Sequence, residues 1–336
     1  MTQASQERLF GVMSAFEHPV TVWIVSGIAV GLVITPAIIW ALGAMGRITP
    51  DHRRQLWLRY AAWLALVPAM AAPVLLGAGA TIVAVCVLSL LCYREFARAT
   101  GLFRETLASL IVVTGMLCLT FAALDHWYAF FVAISPLVIV ALLAAPIVQD
   151  RPKGYIQRVG LGALSFMLFG SCLGHLAFLA NDALYRPMLL MILLTVELND
   201  IFAYITGKAI GGPRLLANTS PNKTMAGSVG AIVLTTPLVA FLGHFVFEGS
   251  PLDAPLHLIA LGLIVAVGGQ LGDLVLSSVK RDIGIKDLGV AIPGHGGFLD
   301  RFDSLLLVAP AVFHYVAWVR GIGLDQPVRV FTGGGG

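Results

Sequence analysis

Long runs of apolar residues constrain the fold of this chain more than any other feature. A helix needs about 20 apolar residues to cross the hydrocarbon core of a bilayer. Seven runs are of about this length: 22–42, 107–124, 129–148, 159–180, 187–206, 226–247 and 256–279. An eighth run, 305–319, is shorter. The run 61–92 is too long for one span and has Pro73 and Gly77 near its middle, so we expect two short helices there.

The composition is also that of a membrane protein. Of the 336 residues, 58% are hydrophobic and only 12% are charged, whereas a typical soluble domain has about 25% charged residues. Within lipid the backbone must satisfy its own hydrogen bonds, and the sequence has no alternating strand pattern of the barrel type. We therefore predict an all-α polytopic membrane protein with about ten transmembrane helices.

Basic residues are concentrated in five polar segments between these spans. The five basic segments are 46–59, 93–104, 149–158, 207–224 and 280–301, and they hold 17 of the 21 lysines and arginines. With ten spans, all five lie on the same side of the membrane. Cytoplasmic loops carry an excess of Lys and Arg, so we expect that side to be the cytoplasm and both termini to be outside. The expected location is the inner (plasma) membrane, as a multi-pass protein.

Charged residues inside the spans are rare, and each is costly in lipid. The first half of the chain has almost none, whereas the second half has Glu197, Asp200 and Asp273. We therefore expect the functional site at the cytoplasmic face of the C-terminal half. The predicted parts are a transmembrane scaffold, a transmembrane catalytic region and a disordered tail, at 1–185, 186–325 and 326–336.

One polar helix face lies in the segment VELNDIFAYITGK. Glu197, Asp200 and Tyr204 are spaced i, i+3 and i+7 and therefore share that face. Two carboxylates in a span require a wet cavity, a cation or basic partners. The structural alternative is an ion pair between two helices.

A second polar face lies in GGQLGDLVLSSVKR. Asp273, Ser277, Lys280 and Arg281 are spaced i, i+4, i+7 and i+8. An acid one turn from a hydroxyl and two turns from paired bases suggests a site for a metal ion and phosphates. The alternative for the two bases alone is a helix end with long basic side chains that reach the membrane surface.

The segment 278–303, SVKRDIGIKDLGVAIPGHGGFLDRFD, is the most charged part of the chain. Its glycines allow backbone N–H groups to approach a phosphate closely. Its carboxylates Asp300 and Asp303 are ligands that Mg²⁺ prefers, and its bases can neutralise phosphate charge. For His295 three roles remain open: a metal ligand, an acid–base group and a hydrogen-bonding group of the loop. Further upstream, TSPNKT suggests a turn that enters a helix.

Residues 277–303 resemble the signature of the phosphatidate cytidylyltransferases, also called CDP-diacylglycerol synthases. The segments NDIFAY and SPNKT resemble two upstream motifs of that family, so the resemblance extends over about 190–310. The signature positions that match are Ser277, Lys280, Arg281, Lys286, Asp287, His295, Gly296, Gly297, Asp300, Arg301 and Asp303.

The resemblance implies an Mg²⁺-dependent reaction of phospholipid biosynthesis in which CTP and phosphatidic acid give CDP-diacylglycerol and pyrophosphate. A second monovalent or divalent cation remains open. Metal binding is implied at Asp273 and Asp300, and we add Asp303. The residues expected in catalysis are Asp273, Asp300, Lys280, Arg281, Lys286, Asp287, Arg301 and His295. The residues expected to bind substrate are Asp200, Tyr204, Ser220, Lys223, Thr224, Ser277, Gly296 and Gly297.

Two acidic positions of the family pattern are apolar in this chain. Ala226, after Met225, stands where many members have a glutamate after a tryptophan, and Leu276 stands where many have another glutamate. These departures leave open whether the activity is reduced or directed to another lipid acceptor, as in a divergent paralogue. We expect Glu197, one turn before Asp200, to replace the missing carboxylates in part. The alternative is a structural pair with an arginine or a polar contact between helices.

Two other functions remain as alternatives. A lipid or polyprenol kinase would use a similar site on a hydroxyl acceptor, and a non-enzymatic carrier would need charge spread through the depth of several spans. The chain has no G-x-x-x-x-G-K-[ST] motif, which excludes a P-loop ATPase. The expected partners are CTP, phosphatidic acid and the lipid bilayer, without nucleic acid, and a homodimer is a candidate assembly.

Overall fold

The computed structural model describes residues 3–289, 291–292, 296–321 and 329–333. The helices are α1 (Gln3–Phe10), α2 (Pro19–Ala44), α3 (Pro50–Leu76), α4 (Ala78–Thr100), α5 (Thr106–Leu124), α6 (Tyr128–Val148), α7 (Tyr155–Ser165), α8 (Leu173–Leu179), α9 (Tyr185–Ile210), α10 (Met225–Val246), α11 (Pro255–Asp282), α12 (Leu299–Phe302) and α13 (Leu305–Val319). A π-helical turn, Phe166–Cys172, joins α7 to α8. The strands β1 (Arg214–Leu216) and β2 (Ser220–Thr224) form an antiparallel hairpin.

The prediction of an all-α polytopic membrane protein is confirmed. Within the described residues, nine helical segments are long and apolar enough to cross a membrane. They are α2 to α6, the continuous segment Tyr155–Leu179, and α9 to α11. The shorter apolar helix α13 has 15 residues and is not among these nine, whereas about ten spans were expected.

The prediction for 61–92 is correct about the break and wrong about the lengths. The chain does break at Gly77, whose φ of 137° is readily reached only by glycine. The two helices are not short, however, because α3 has 27 residues and α4 has 23. α3 starts far upstream because Thr49 caps it, with its side chain accepting a hydrogen bond from the His52 N–H, and Pro50 opens its first turn.

Contacts between segments show which helix ends lie together. Arg158 Nη1 lies 3.8 Å from Glu105 Oε1, so α7 and α5 begin at the same end of the bundle. Arg281 Nε donates a hydrogen bond to the Thr219 carbonyl at 3.3 Å, so the end of α11 lies beside the β-hairpin. Glu95 accepts a hydrogen bond from the Phe298 N–H, and Arg59 lines one cavity with Lys208 and Arg301. The five basic segments therefore lie at one end of the bundle, which we call the basic face.

The other end of the bundle has its own polar contacts. Asp182, before α9, forms an ion pair with Arg320, after α13. Asp125, after α5, accepts a hydrogen bond from the Phe331 N–H at 2.5 Å. Of the tail that is predicted to be disordered, the structure describes only 329–333, which includes this contact.

Close helix packing in the C-terminal half positions the site. α10 packs against α9 and α11, and α11 packs against α13. A Cβ atom on Gly227 of α10 would lie 2.6 Å from the Ala203 carbonyl oxygen of α9, so the two backbones are in contact there. The buried Asn199 side chain on α9 accepts a hydrogen bond from Thr235 at 3.0 Å and donates one to the Ala266 carbonyl at 3.1 Å. It thus ties α9 to α10 and α11 beside the acidic face of α9.

Candidate active site

A cavity of about 800 Å³ opens at the basic face among α3, α9, β2, α10, α11 and α12. Its wall combines acidic, basic and hydroxyl side chains with apolar ones. Nine of the predicted catalytic, binding and metal residues line it: Asp200, Tyr204, Ser220, Lys223, Thr224, Asp273, Asp300, Arg301 and Asp303. Glu197 lines it as well. Residues from widely separated motifs therefore meet in one cavity, although their individual roles stay predictions.

The predicted polar face of α9 forms one wall of the cavity. Glu197, Asp200, Tyr204 and Lys208 all line it, at the spacing of a single helix face. The charged neighbours of Glu197 include Arg301 and Asp200. Both interpretations of Glu197, as part of the acidic site and as a partner of an arginine, are therefore compatible with its surroundings.

Three carboxylates meet at the corner of the cavity between α9, α11 and α12. Asp273 forms an ion pair with Lys223 of β2 and lies within hydrogen-bonding reach of Asp303. Asp200 accepts a hydrogen bond from the Ser304 hydroxyl at 3.2 Å. The N–H of the same serine donates to Asp303 at 2.8 Å. One ammonium group therefore faces several negative charges at this corner.

The environment of Asp303 opposes its ionisation. Burial raises the pKa of this carboxyl well above its usual range, and the charges of Asp273 and Asp200 raise it further. The close approach has a backbone origin, because a Cβ atom on Gly272 of α11 would lie 2.5 Å from the Asp303 carbonyl oxygen. Two facing carboxylates of this kind share a proton or a cation.

Asp300 is held differently, by groups of its own motif. Its Oδ1 pairs with Lys280 Nζ at 2.9 Å. Its Oδ2 accepts hydrogen bonds from the backbone N–H groups of Leu288 and Gly297, both at 3.0 Å. Gly296, with φ of 81°, allows the turn that directs these N–H groups to the carboxylate. The glycines are therefore engaged with the protein's own Asp300.

A residue of the N-terminal half anchors the same segment. Glu95 of α4 accepts hydrogen bonds from the backbone N–H groups of Phe298, at 3.0 Å, and Leu299, at 2.9 Å. A Cβ atom on Gly297 would lie 2.4 Å from Glu95 Oε2. The lack of a side chain at Gly297 thus makes room for a carboxylate that comes from α4.

Several predicted site residues lie outside the cavity wall. Lys280 and Ser277 are buried behind it, where Ser277 lies 3.4 Å from an Asp273 oxygen. Arg281 binds the Thr219 and Ile285 carbonyls and so joins two segments of the basic face. The remaining predicted residues away from the wall are Lys286 and Asp287, which are exposed, and Gly296 and Gly297. His295 lies outside the described residues.

Sequence reasoning missed several residues that complete the site. Arg59 and Trp63 of α3 line the cavity, as do Ser228 and Gln270. In the sequence, Arg59 lies in a basic segment just before an apolar run, and Trp63 follows four residues later. This spacing was the sequence feature that could have indicated both residues, because it puts them on one helix face. Nothing in the local pattern distinguishes Glu95 from a solvated glutamate. Its role depends on the packing of α4 against α12.

The chemistry of the cavity fits a hard cation, although no ligand set is assembled. Among the described residues, no group of three or more His, Cys, Asp or Glu side chains is arranged to hold a metal ion. Of the residues that the structure describes, five carboxylates and four bases line the wall, and Lys280 behind it pairs with Asp300. An anionic ligand in this cavity would therefore need additional positive charge. Oxygen donors of this type are those that Mg²⁺ selects.

The two apolar departures from the family pattern lie away from the cavity wall. Leu276 is fully buried in the hydrophobic core. Ala226 lies in the first turn of α10, next to the wall residue Gly227 but not itself on the wall. Leu276 therefore packs in the core.

Comparisons with known proteins agree with this geometry. A profile of the cytidylyltransferase family matches residues 57–319. The "Phosphatidate cytidylyltransferase" of Bacillus subtilis is 35% identical over 219 residues, which cover 63% of this chain and 80% of that protein. The enzyme of the same name from Rickettsia bellii is 33% identical over 201 residues, which cover 54% and 87%. The "Uncharacterized protein YnbB" of Escherichia coli K12 is 32% identical over 197 residues, which cover 57% and 65%. The matched region contains all the described residues that line the cavity. This chain therefore belongs to the cytidylyltransferase family.

Proposed function

We propose that this chain is a phosphatidate cytidylyltransferase that makes CDP-diacylglycerol and pyrophosphate from phosphatidic acid and CTP, for phospholipid biosynthesis. The observation that carries the proposal is the cavity at the basic face. It combines at least four bases with five carboxylates at the end of a membrane bundle, where a soluble nucleotide and a membrane lipid can meet. The names of the Bacillus and Rickettsia relatives support the choice of substrates.

The reaction needs no protein nucleophile. An oxygen of the lipid phosphate attacks the α-phosphorus of CTP, and the bond from that phosphorus to the oxygen bridging to the β-phosphate breaks. Pyrophosphate leaves with that bridging oxygen, and the lipid carries the CMP unit. The protein's task is to hold two anions that repel each other and to stabilise the charge that develops. Lys223 and Arg301, both on the cavity wall, are the bases that we assign to the nucleotide phosphates.

Magnesium is the cation that we assign to the acidic corner. Asp273 and Asp303 would hold it, with Asp200 beside them, because their oxygens already face one another. Asp300, the third predicted ligand, holds Lys280 and two backbone N–H groups in this structure. When bound, Mg²⁺ supplies positive charge to the phosphate oxygens and polarises the phosphorus under attack.

The orientation of the chain belongs to the same proposal. CTP is a cytoplasmic metabolite, and the excess of Lys and Arg at the basic face favours the cytoplasm for that side. The multi-pass bundle would thus open its cavity to the cytoplasm from the plasma membrane. Both termini would lie on the other side.

The test uses the purified full-length protein in mixed micelles with phosphatidic acid and Mg²⁺. CTP labelled at the α-phosphate should transfer its label to the lipid phase, and pyrophosphate should be released in equal amount. CTP labelled at the γ-phosphate should leave the lipid unlabelled. Transfer of the γ-label would instead identify a lipid kinase. Asp273→Asn is the inactive control, and a wild-type protein that labels no lipid would contradict the proposed function.

A further inference from the structure

The wall of the cavity that α3 forms differs in origin and chemistry from the others. Arg59 and Trp63 are its two lining residues, whereas the other described lining residues all come from position 197 onward. Their spacing of four residues puts both on the same face of α3. The Tyr60 hydroxyl donates to the Leu32 carbonyl at 3.0 Å, which fixes the rotation of α3 against α2. α3 also packs against α9.

The bases of the cavity are not equally available to a substrate. Lys223 is ion-paired with Asp273, and the charge of Arg301 faces Glu197. The Lys208 ammonium group lies 5.7 Å from the centre of the Tyr204 ring, in the range of a cation–π contact. Each of these three bases thus already faces a group of the protein.

Arg59 differs from these bases because its side chain is not engaged with another charged or polar group of the described residues. No ion pair or hydrogen bond joins it to another residue in the described part of the chain. Its guanidinium offers five donors in a planar fork that matches the oxygens of a phosphate. Arg59 is exposed although it lines the cavity, so an incoming anion can reach it.

The part of the cavity wall that α3 and α9 form carries exposed apolar side chains, and we call it the α3–α9 rim. Ile201 of α9 is 47% exposed and Tyr204 is 66% exposed, although both line the cavity. Trp63 of α3 lines the same cavity and is half-buried. In a bilayer such side chains contact acyl chains, and an indole suits the level of the lipid headgroups. The α3–α9 rim therefore connects the polar cavity to the lipid phase.

We propose that Arg59 and Trp63 form the subsite for the lipid substrate, with Arg59 on its phosphate and Trp63 against its glycerol and upper acyl chain. The lipid enters sideways through the α3–α9 rim. Its phosphate then faces the acidic corner formed by Asp200, Asp273 and Asp303, where Lys223 pairs with Asp273. This assignment rests on the proposed function for its substrate, and it gives the two anionic substrates separate walls.

The first test separates the lipid from the nucleotide. Arg59→Ala should raise the apparent KM for phosphatidic acid, measured as its surface concentration in mixed micelles, by about tenfold or more, since a hydrogen bond to a charged group is lost. The apparent KM for CTP should change by less than about twofold, because no nucleotide contact is removed. Arg59→Lys should restore part of the loss, since it keeps the charge without the fork.

The matched control is Arg54 of the same helix. It is exposed and lines a separate, smaller cavity with Trp40 and Trp57. Arg54→Ala removes the same charge near the membrane surface, so it should leave both KM values unchanged. An equal effect of Arg54→Ala and Arg59→Ala would show a general surface-charge effect and overturn the proposal. A rise in the KM for CTP alone in Arg59→Ala would also overturn it.

The second test does not depend on turnover. The chain has six tryptophans, and phosphatidic acid brominated near the top of its acyl chain quenches those it contacts. In nanodiscs of phosphatidylcholine, the brominated phosphatidic acid should quench the tryptophan fluorescence of the wild type more strongly than brominated phosphatidylcholine does at equal mole fraction. This excess should disappear in Trp63→Phe and shrink in Arg59→Ala. If the excess quenching by phosphatidic acid is undiminished in both variants, the assignment of this subsite is overturned. If the wild type makes no CDP-diacylglycerol, the proposed function fails, and the quenching still decides whether this subsite binds the lipid.

Discussion

Glu95 of α4 accepts a hydrogen bond from the backbone N–H of Leu299 at 2.9 Å, across 204 positions of sequence. Its other carboxylate oxygen accepts from Phe298 at 3.0 Å. These two N–H groups begin α12, the short helix that carries Asp300 and Arg301 to the cavity. A carboxylate from the N-terminal half therefore positions the segment with the strongest sequence signature.

Glu95→Gln should reduce kcat by about tenfold or more, because a hydrogen bond to a charged group contributes about 1.5–3 kcal/mol and 1.36 kcal/mol corresponds to a factor of ten. The amide has one oxygen to accept and would direct an N–H₂ group at a backbone N–H. Glu105→Gln is the control, since Glu105 also lies at the basic face but contacts Arg158. An unchanged kcat in Glu95→Gln would show that α12 is held by its other contacts.

Asp273→Asn and Asp300→Asn should each abolish turnover while the protein still folds, because a hard cation needs anionic oxygens. The two variants should differ in stability. Asp300→Asn weakens a buried ion pair with Lys280 and two backbone hydrogen bonds, so it should lower the Tm more than Asp273→Asn does. Activity near the wild-type level in Asp273→Asn would contradict the metal assignment, and such activity in Asp300→Asn would remove Asp300 from the predicted ligands and catalytic residues.

Asp303→Asn should raise the Tm of the metal-free protein by about 2 °C or more, although it should lower activity. Burial and the charges of Asp273 and Asp200 raise the pKa of Asp303, so its charged form is unfavourable in the folded state. The stability of the wild type in EDTA should therefore fall as the pH rises through that raised pKa. The Asp303→Asn variant has no carboxyl group at this position, so its stability should not show this loss with rising pH.

The Tm difference between this variant and the wild type should consequently grow with pH and vanish in acid. Asp51→Asn, at an exposed position, should show no such trend. A Tm for Asp303→Asn below that of the wild type at every pH would mean that Asp303 stabilises the fold as an anion.

Glu197→Gln should raise the Mg²⁺ concentration required for activity several-fold if Glu197 supports the cation. Ala226→Glu should then restore part of the affinity, since Ala226 is adjacent to the cavity-lining Gly227. The measurement is the initial rate against Mg²⁺ concentration. An unchanged Mg²⁺ dependence with a lower Tm would assign Glu197 to a structural contact with Arg301, which is among its charged neighbours.

Single cysteines at Asn218 and Asp282, both exposed at the basic face, should be protected from impermeant thiol reagents in intact cells. A cysteine at Glu248, exposed in the loop between α10 and α11, should be labelled. Gly289 is unsuitable, because a Cβ atom there would lie 2.4 Å from Glu95 Oε1. Labelling of the two basic-face positions from outside would reverse the topology and contradict a site for cytoplasmic CTP.

Local patterns were sufficient to predict most of the architecture. The apolar runs predicted the spans, and Gly77 predicted the break between α3 and α4, because hydropathy and backbone freedom act over a few residues. Helical spacing also predicted that Glu197, Asp200 and Tyr204 share a face, which the cavity wall confirms. The lengths of α3 and α4 were missed because their polar ends carry no apolar signal.

The partners of the site residues were decided only by tertiary packing. A regular spacing shows which residues share a face, but it does not show what that face meets. Glu95 holds Leu299 because α4 packs against α12. Arg59 faces the cavity because α3 packs against α2 and α9. Asp300 faces Lys280 and the N–H groups of its own loop because the chain turns back at Gly296. Such contacts depend on how helices far apart in the chain are rotated and packed in the bundle, which no local pattern encodes.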